Sequence, residues 1–182
     1  MNIVQIIGIS GKAEAGKSTL ANILKEQLEL QGHRTLLINY GDFVKFIAEK
    51  YYFWNGEKDE GGRTLLQHIG TRQGREKVNI NIWVDMVINT VLVAQDDFDF
   101  AIVADCRFPN EFKRWEEFNI PITKIRISRP LEQSKLTEEQ KQHASETSLD
   151  DYRDWDLFIC NNGTYEDLTE RAKSIVTLIT NK

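Results

Sequence analysis

Apolar residues along this chain switch between two rhythms. Positions 3–9 hold Ile3, Val4, Ile6, Ile7 and Ile9 in an almost unbroken run, the pattern of a strand buried on both faces of a parallel sheet. Leu20, Ile23, Leu24 and Leu28 then recur three and four apart, which predicts a helix over 17–31 that Gly32-His33 stops. The alternation continues. Strands are predicted at 35–40, 99–104, 122–127 and 157–160, and helices at 43–52, 63–74, 81–94, 109–118 and 165–179. Gly41-Asp42 opens the second helix, Pro109 opens the fifth, and Thr164 caps the last after an Asn161-Asn162-Gly163 turn. Strands alternating with helices predict a three-layer α/β fold around a parallel sheet, as one domain over 1–182. Two stretches break the rhythm: 41–97, with a polar glycine-rich loop at 55–62, and 129–150, whose charged stretch 131–149 reads as a mobile flap.

Composition narrows this picture only slightly. The chain has 182 residues, 41% hydrophobic and 28% charged, which suits one soluble domain with a real core. A net charge of −5 argues against a broad surface for nucleic acid polymers. It leaves room for a small anion, because a local arginine cluster can outweigh a weakly acidic whole. Cys106 and Cys160 each adjoin an apolar run and are expected as buried free thiols, with no disulfide or zinc spacing. The chain opens directly on a strand, and no apolar run approaches the ~20 residues of a membrane span. The expectation is a cytoplasmic protein. No apolar stripe decides between monomer and homodimer.

Residues 11–18 read GKAEAGKS, the phosphate-loop spacing of Gly, four residues, Gly, Lys and Ser or Thr. Gly11 and Gly16 let the backbone turn so that amides at Ala13, Glu14, Ala15 and on toward Thr19 face phosphate oxygens. Lys17 brings a positive charge to the outer phosphates, and Ser18 offers a hydroxyl to Mg²⁺. The preceding strand and the following helix N-terminus complete an anion site. Phe100-Ala101-Ile102-Val103-Ala104-Asp105 is an apolar strand closed by an acid. In a parallel sheet that acid lies beside the loop, where it can hold Mg²⁺ or else cap the next turn. Cys106 follows, where motor-type ATPases usually place Glu, and no Asn-Lys-x-Asp guanine signature appears. Phosphoryl transfer to an acceptor other than water is what remains.

Arg107 projects from the same strand end. Upstream, Arg63, Arg72, Arg75 and Lys77 crowd one segment that Gly70-Thr71 and Gly74 interrupt. Such a run is either a solvated helix face or an acceptor site, since guanidinium forks match phosphate oxygens two at a time. Trp83 is either a base-stacking platform or a core aromatic.

Leu65-Leu66-Gln67-His68-Ile69-Gly70-Thr71-Arg72-Gln73-Gly74-Arg75, Asp105-Cys106-Arg107-Phe108-Pro109-Asn110-Glu111 and His143-Ala144-Ser145-Glu146 occur in that order. With GKAEAGKS before them and Asn161-Asn162-Gly163-Thr164 after, nearly the whole chain resembles the phage-type deoxynucleoside monophosphate kinases. The resemblance implies a nucleoside monophosphate kinase fold with strand order 2-3-1-4-5, an acceptor-binding helical region (41–97) and a lid (129–150). It implies ATP and Mg²⁺ as cofactors and a deoxynucleoside monophosphate as acceptor. Lys17, Ser18 and Asp105 then serve the ATP phosphates and metal, while Arg75 and Arg107 grip the acceptor; Arg72 stands where the family pattern has an acid and is an acceptor-binding candidate from the arginine run. Asp42 and Lys45 lie in the stretch that faces the acceptor pocket. Arg129 reaches the transferring group from the lid, and Asn161 and Gly163 flank adenine. His143 takes a structural or lid-closing role.

Three other readings stay open. A deoxynucleoside kinase would use a carboxylate base, for which Asp42 is placed. A phosphomevalonate kinase has similar donor elements. An ATP-binding regulatory module would transfer nothing.

Overall fold

The structure is a computed structural model in which residues 4–130, 142 and 144–181 are described. Five parallel strands are the frame: β1 (Gln5–Ser10), β2 (Thr35–Leu37), β3 (Phe100–Cys106), β4 (Ile122–Ser128) and β5 (Leu157–Cys160). Their order is β2-β3-β1-β4-β5, as the resemblance implied. The helices are α1 (Lys17–Leu30), α2 (Tyr40–Tyr52), α3 (Glu60–Gln67), α4 (Ile82–Val93), α5 (Asn110–Glu117), the single turn α6 (Ala144–Thr147) and α7 (Tyr165–Thr180).

Successive residues of a strand point to opposite faces, so each central strand feeds two cores. Ile7 and Ile9 of β1 join Ile102 and Ile125 under α1 and α7, where Leu20, Leu24 and Val176 cover them. Ile6 and Val103 face the other way, against α2, α4 and α5 with Val87, Ile88, Phe112 and Trp115. Both faces are dry, which explains the unbroken apolar runs. Gly8 sits where an added Cβ would lie 2.9 Å from the Phe112 ring. The β1–β3 register shifts between Gly8 and Ser10, after which Ser10 lies opposite Cys106. That shift brings the end of β3 alongside the start of the phosphate loop.

Three local expectations need correction. β2 ends at Leu37 rather than position 40, because Asn39 already begins α2. The Asn39 amide donates to Asp42 at 2.9 Å, closing a capping box, and its side-chain oxygen accepts from Ala104 N at 3.0 Å. The helix expected over 63–74 is α3 followed by a π-helical segment, His68–Glu76. Cys106 is buried, but Cys160 is exposed. β5 lies at the sheet edge and buries only Ile159 among its four residues. Most of the predicted flap, residues 131–141 and 143, lies outside the described residues, and His143 with it.

Candidate active site

The loop between β1 and α1 is built from backbone. Gly11 is forced to be glycine, since a Cβ there would lie 2.3 Å from the Ile127 carbonyl oxygen. Glu14 (φ 63°) and Gly16 (φ 98°) adopt left-handed conformations on either side of buried Ala15, the winding that turns successive amides inward. Lys17 donates to the Gly11 and Lys12 carbonyls at 2.7 and 2.8 Å. Burial and the neighbouring Arg107 lower its ammonium to about 8, against the raising effects of Glu146 and Asp105. Asn161 braces the loop, donating from Nδ2 to the Ala15 carbonyl at 3.0 Å. Gly163 lies beyond it, exposed. Ser18 and Thr19 stand exposed on the first turn of α1.

Asp105 closes β3, and its carboxylate accepts from the amides of Tyr40 and Gly41 at 3.0 and 2.8 Å. It therefore answers two orphan donors of α2 rather than capping the turn that follows it. Burial raises its carboxyl, and those two amides oppose the shift. Each oxygen keeps lone-pair capacity. The donor set of Ser18 hydroxyl and Asp105 carboxylate fits Mg²⁺, which takes few protein ligands and keeps waters and phosphate oxygens. Among the described residues no cluster of three metal-binding side chains occurs.

A cavity of about 430 Å³ opens directly against the loop at Ala13 and Glu14, within the size range of small-molecule sites. Val44, Leu66 and Trp83 form apolar wall, and Lys45, Lys58, Arg63, Arg75 and Arg107 bring cationic groups. Arg75 lies across the Phe108 ring with its guanidinium carbon 4.4 Å from the centroid. Its Nη2 donates to Glu111 at 2.7 Å, while its buried Nε has no partner among the described residues. Glu111 is only 1% exposed. Its second oxygen accepts from the amides of Arg107 and Phe108, so one carboxylate closes the turn leading into α5 and holds Arg75. Burial pushes this carboxyl up to about 7, opposed mainly by Arg75. Arg107 reaches the other way, to the Ser145 carbonyl at 3.1 Å and to the Glu146 carboxylate.

The cavity sorts the expected acceptor residues. Arg75 and Arg107 meet in it with Lys45, whereas Arg72 is exposed and outside its lining. In the π-helical segment Gly70 and Gly74 are buried and Thr71 and Arg75 line the cavity. Residues four apart share a side, and Arg72 turns outward. Asp42 is likewise absent from the lining; its carboxylate is held by the Asn39 amide and by Lys45 at 2.9 Å. Arg129 is exposed beyond β4 and outside the lining. Trp83 is buried, its indole N–H donating to the Gly70 carbonyl at 2.7 Å. An added Cβ at Gly74 would lie 2.5 Å from its ring, so the ring is cavity wall rather than a free stacking platform. Sequence patterns assign no site role to Glu111, Glu146 or Lys58, and Arg63 enters them as a member of the arginine run. A first-turn acid after Pro109 was the available signal for Glu111.

The family described as deoxynucleotide monophosphate kinase matches residues 38–172. This chain belongs to that family. The family match starts beyond the phosphate loop, which lies at 11–18. A deoxynucleoside-5'-monophosphate kinase of Escherichia phage T5 is 42% identical over 57 residues, a stretch that is 31% of this chain and 22% of the phage protein. Among solved structures, the APS kinase of Mycobacterium tuberculosis in complex with AMPPNP and APS superposes with a TM-score of 0.57 at 13% identity, covering 99% of both chains. A sugar kinase from a Janibacter species has a TM-score of 0.54 at 13% identity, covering 94% of this chain and 93% of its own. These two likenesses concern the fold. Among the described residues of this family member, no helix is long and apolar enough to cross a membrane.

Proposed function

We propose that this protein transfers the γ-phosphoryl group of ATP to a deoxynucleoside monophosphate. The observation that carries the reading is the arginine-bearing cavity opening onto the phosphate loop, with Arg75 and Arg107 beside Ala13 and Asp105. A phosphate acceptor suits that surface better than a neutral hydroxyl does. The base expected for a hydroxyl acceptor, Asp42, is engaged in a helix cap.

The acceptor oxygen is already ionised at neutral pH, so the chemistry needs alignment and charge compensation rather than a base. The loop amides and Lys17 hold the ATP phosphates. Arg75 and Arg107 fix the acceptor phosphate in line with them. One acceptor oxygen forms its bond to the γ-phosphorus as the bond from that phosphorus to the β–γ bridging oxygen breaks. The leaving electron pair stays on ADP, where Lys17 offsets it. Mg²⁺, held by Ser18 and Asp105, would supply further neutralisation of the phosphate oxygens. The reading places the reaction in the cytoplasm, on small molecules, with no nucleic acid polymer or membrane as partner.

The test is ADP release with Mg²⁺ and ATP against the four common deoxynucleoside monophosphates, their ribose counterparts, deoxynucleosides and phosphomevalonate. Turnover on deoxynucleoside monophosphates is the expected result. Turnover confined to nucleosides or phosphomevalonate, or ATP binding with no transfer at all, would overturn the proposal.

A further inference from the structure

Glu146 lies in the single turn α6, far along the chain from both the loop and the cavity, yet it touches both. One carboxylate oxygen accepts from the Ala13 amide of the phosphate loop at 2.9 Å. The other accepts from the Arg107 guanidinium. Its side chain is 7% exposed, so this is a largely desolvated bridge and not a surface pair. The backbone repeats the connection. Lys12 of the loop donates to the Glu146 carbonyl, and Arg107 donates to the Ser145 carbonyl at 3.1 Å. The following residues pin the turn down. Lys12 pairs with Asp150, Arg126 stands 3.6 Å from the same carboxylate, and Leu149 is 4% exposed in the core.

We infer that Glu146 is a positioning residue that yokes the donor loop to the acceptor arginine, by accepting from Ala13 N and Arg107 with one carboxylate. The inference rests on the phosphoryl-transfer reading and deepens it. In-line transfer needs the γ-phosphorus and the acceptor oxygen held within a few tenths of an ångström of the productive geometry. Arg107 has several rotatable bonds, and among the described residues Glu146 is the carboxylate that accepts its hydrogen bond. Without Glu146 its guanidinium loses the charged partner that ties it to the loop and keeps the Ser145 carbonyl. With Glu146 in place, the grip on the acceptor is referenced to the loop that grips ATP. Glu146 also supplies one negative charge amid Lys12, Lys17, Arg107 and Arg126. The Glu111 bridge differs in that it holds Arg75 and does not reach the phosphate loop's amides.

The test uses the full chain as wild type, Glu146→Gln, Glu146→Asp and Glu146→Ala. Three quantities are read: the ATP dissociation constant by calorimetry without acceptor, kcat and KM for a deoxynucleoside monophosphate, and the melting temperature. Glu146→Gln keeps an oxygen for the Ala13 amide but loses the charge that holds Arg107. Its kcat/KM for the acceptor is expected to fall between about tenfold and a hundredfold, the range of a charge-assisted hydrogen bond. Its ATP affinity is expected to stay within about twofold, because the loop itself is intact. Glu146→Asp, which retains the carboxylate, should recover part of the loss, and Glu146→Ala should fall furthest. Tighter ATP binding in Glu146→Gln would overturn the proposal, because the carboxylate would then be an occupant that nucleotide must displace. Equal losses in ATP and acceptor affinity alongside a lowered melting temperature would overturn it too, leaving only a packing role. A wild type that binds ATP but phosphorylates no monophosphate would bring down the functional reading, and this inference with it, before any variant is compared.

Discussion

The phosphate loop and the arginine-bearing cavity meet at Ala13, yet they are made by different means. The loop is backbone turned at two glycines within eight consecutive residues, braced from outside by Asn161 and Glu146. The cavity is side chains drawn from α2, α3, the π-helical segment, α5 and α6. Its arginines are aimed by carboxylates 36 and 39 residues away in the chain. A backbone cradle is fixed by local geometry and tolerates change around it. A cavity of buried ions depends on each partner being present, because a charge left alone in the interior is costly.

Substitutions at four positions sharpen that contrast, and the largest effect falls on the donor side. Lys17→Ala removes the loop's ammonium, which lies between the Gly11 and Lys12 carbonyls. Turnover should fall by orders of magnitude while circular dichroism and melting stay close to wild type. Unimpaired turnover in a folded variant would sink the functional reading. Glu111→Ala comes next and should act through stability. Removing one partner of a buried pair typically costs about 3–5 kcal/mol, read as a lower denaturant midpoint, and Arg75 would lose its aim.

Glu111 also carries a pH signature. Its carboxyl is raised from 4.5 to about 7 in the folded protein, so the folded state holds that proton more tightly than the unfolded chain does. The resulting stability is fully present below 4.5 and is lost as pH rises through about 7. Glu111→Gln cannot titrate, so unfolding curves across this window should show wild type losing ground to the variant as pH rises. Parallel curves would refute the assignment.

Gly74→Ala is a smaller perturbation, expected to cost about 1–3 kcal/mol by pushing on the Trp83 ring. ATP affinity should be unchanged, because the clash lies on the acceptor side. Asp42→Asn is the smallest. It weakens a capping box by about 1 kcal/mol and should leave kcat nearly intact. A collapse of kcat with unchanged folding would restore Asp42 as a base and favour a hydroxyl acceptor.

The same division governs what could be read from the chain. The loop, the strand-end acid and the strand succession are local or periodic patterns, so GKAEAGKS, Asp105 and the five strands were legible. Arg75 and Arg107 were also found, because arginine near a strand end or among glycines carries its own signal. Their carboxylate partners were not. Glu111 and Glu146 sat inside recognised segments, but a contact spanning 133 residues, such as that between Ala13 and Glu146, leaves no local trace. In sequence Arg72 reads like its neighbours in the arginine run; the winding of the π-helical segment leaves it exposed and outside the cavity that Arg75 lines. Asp42 reads the same in sequence whether it faces a ligand or closes a cap, and the structure holds its carboxylate at the N-terminus of α2. Cys160 was misassigned because an apolar neighbourhood in sequence does not reveal that a strand lies at the sheet edge.

That exposed thiol has a practical consequence. The chain holds two cysteines, and Cys106 is sealed in the core, so a thiol-reactive dye added to the native protein has one ready target. Cys160 is followed directly by Asn161, whose amide braces the phosphate loop at Ala15. A fluorophore attached there would report from the back of the nucleotide cradle, giving an optical handle on ligand arrival without altering any residue.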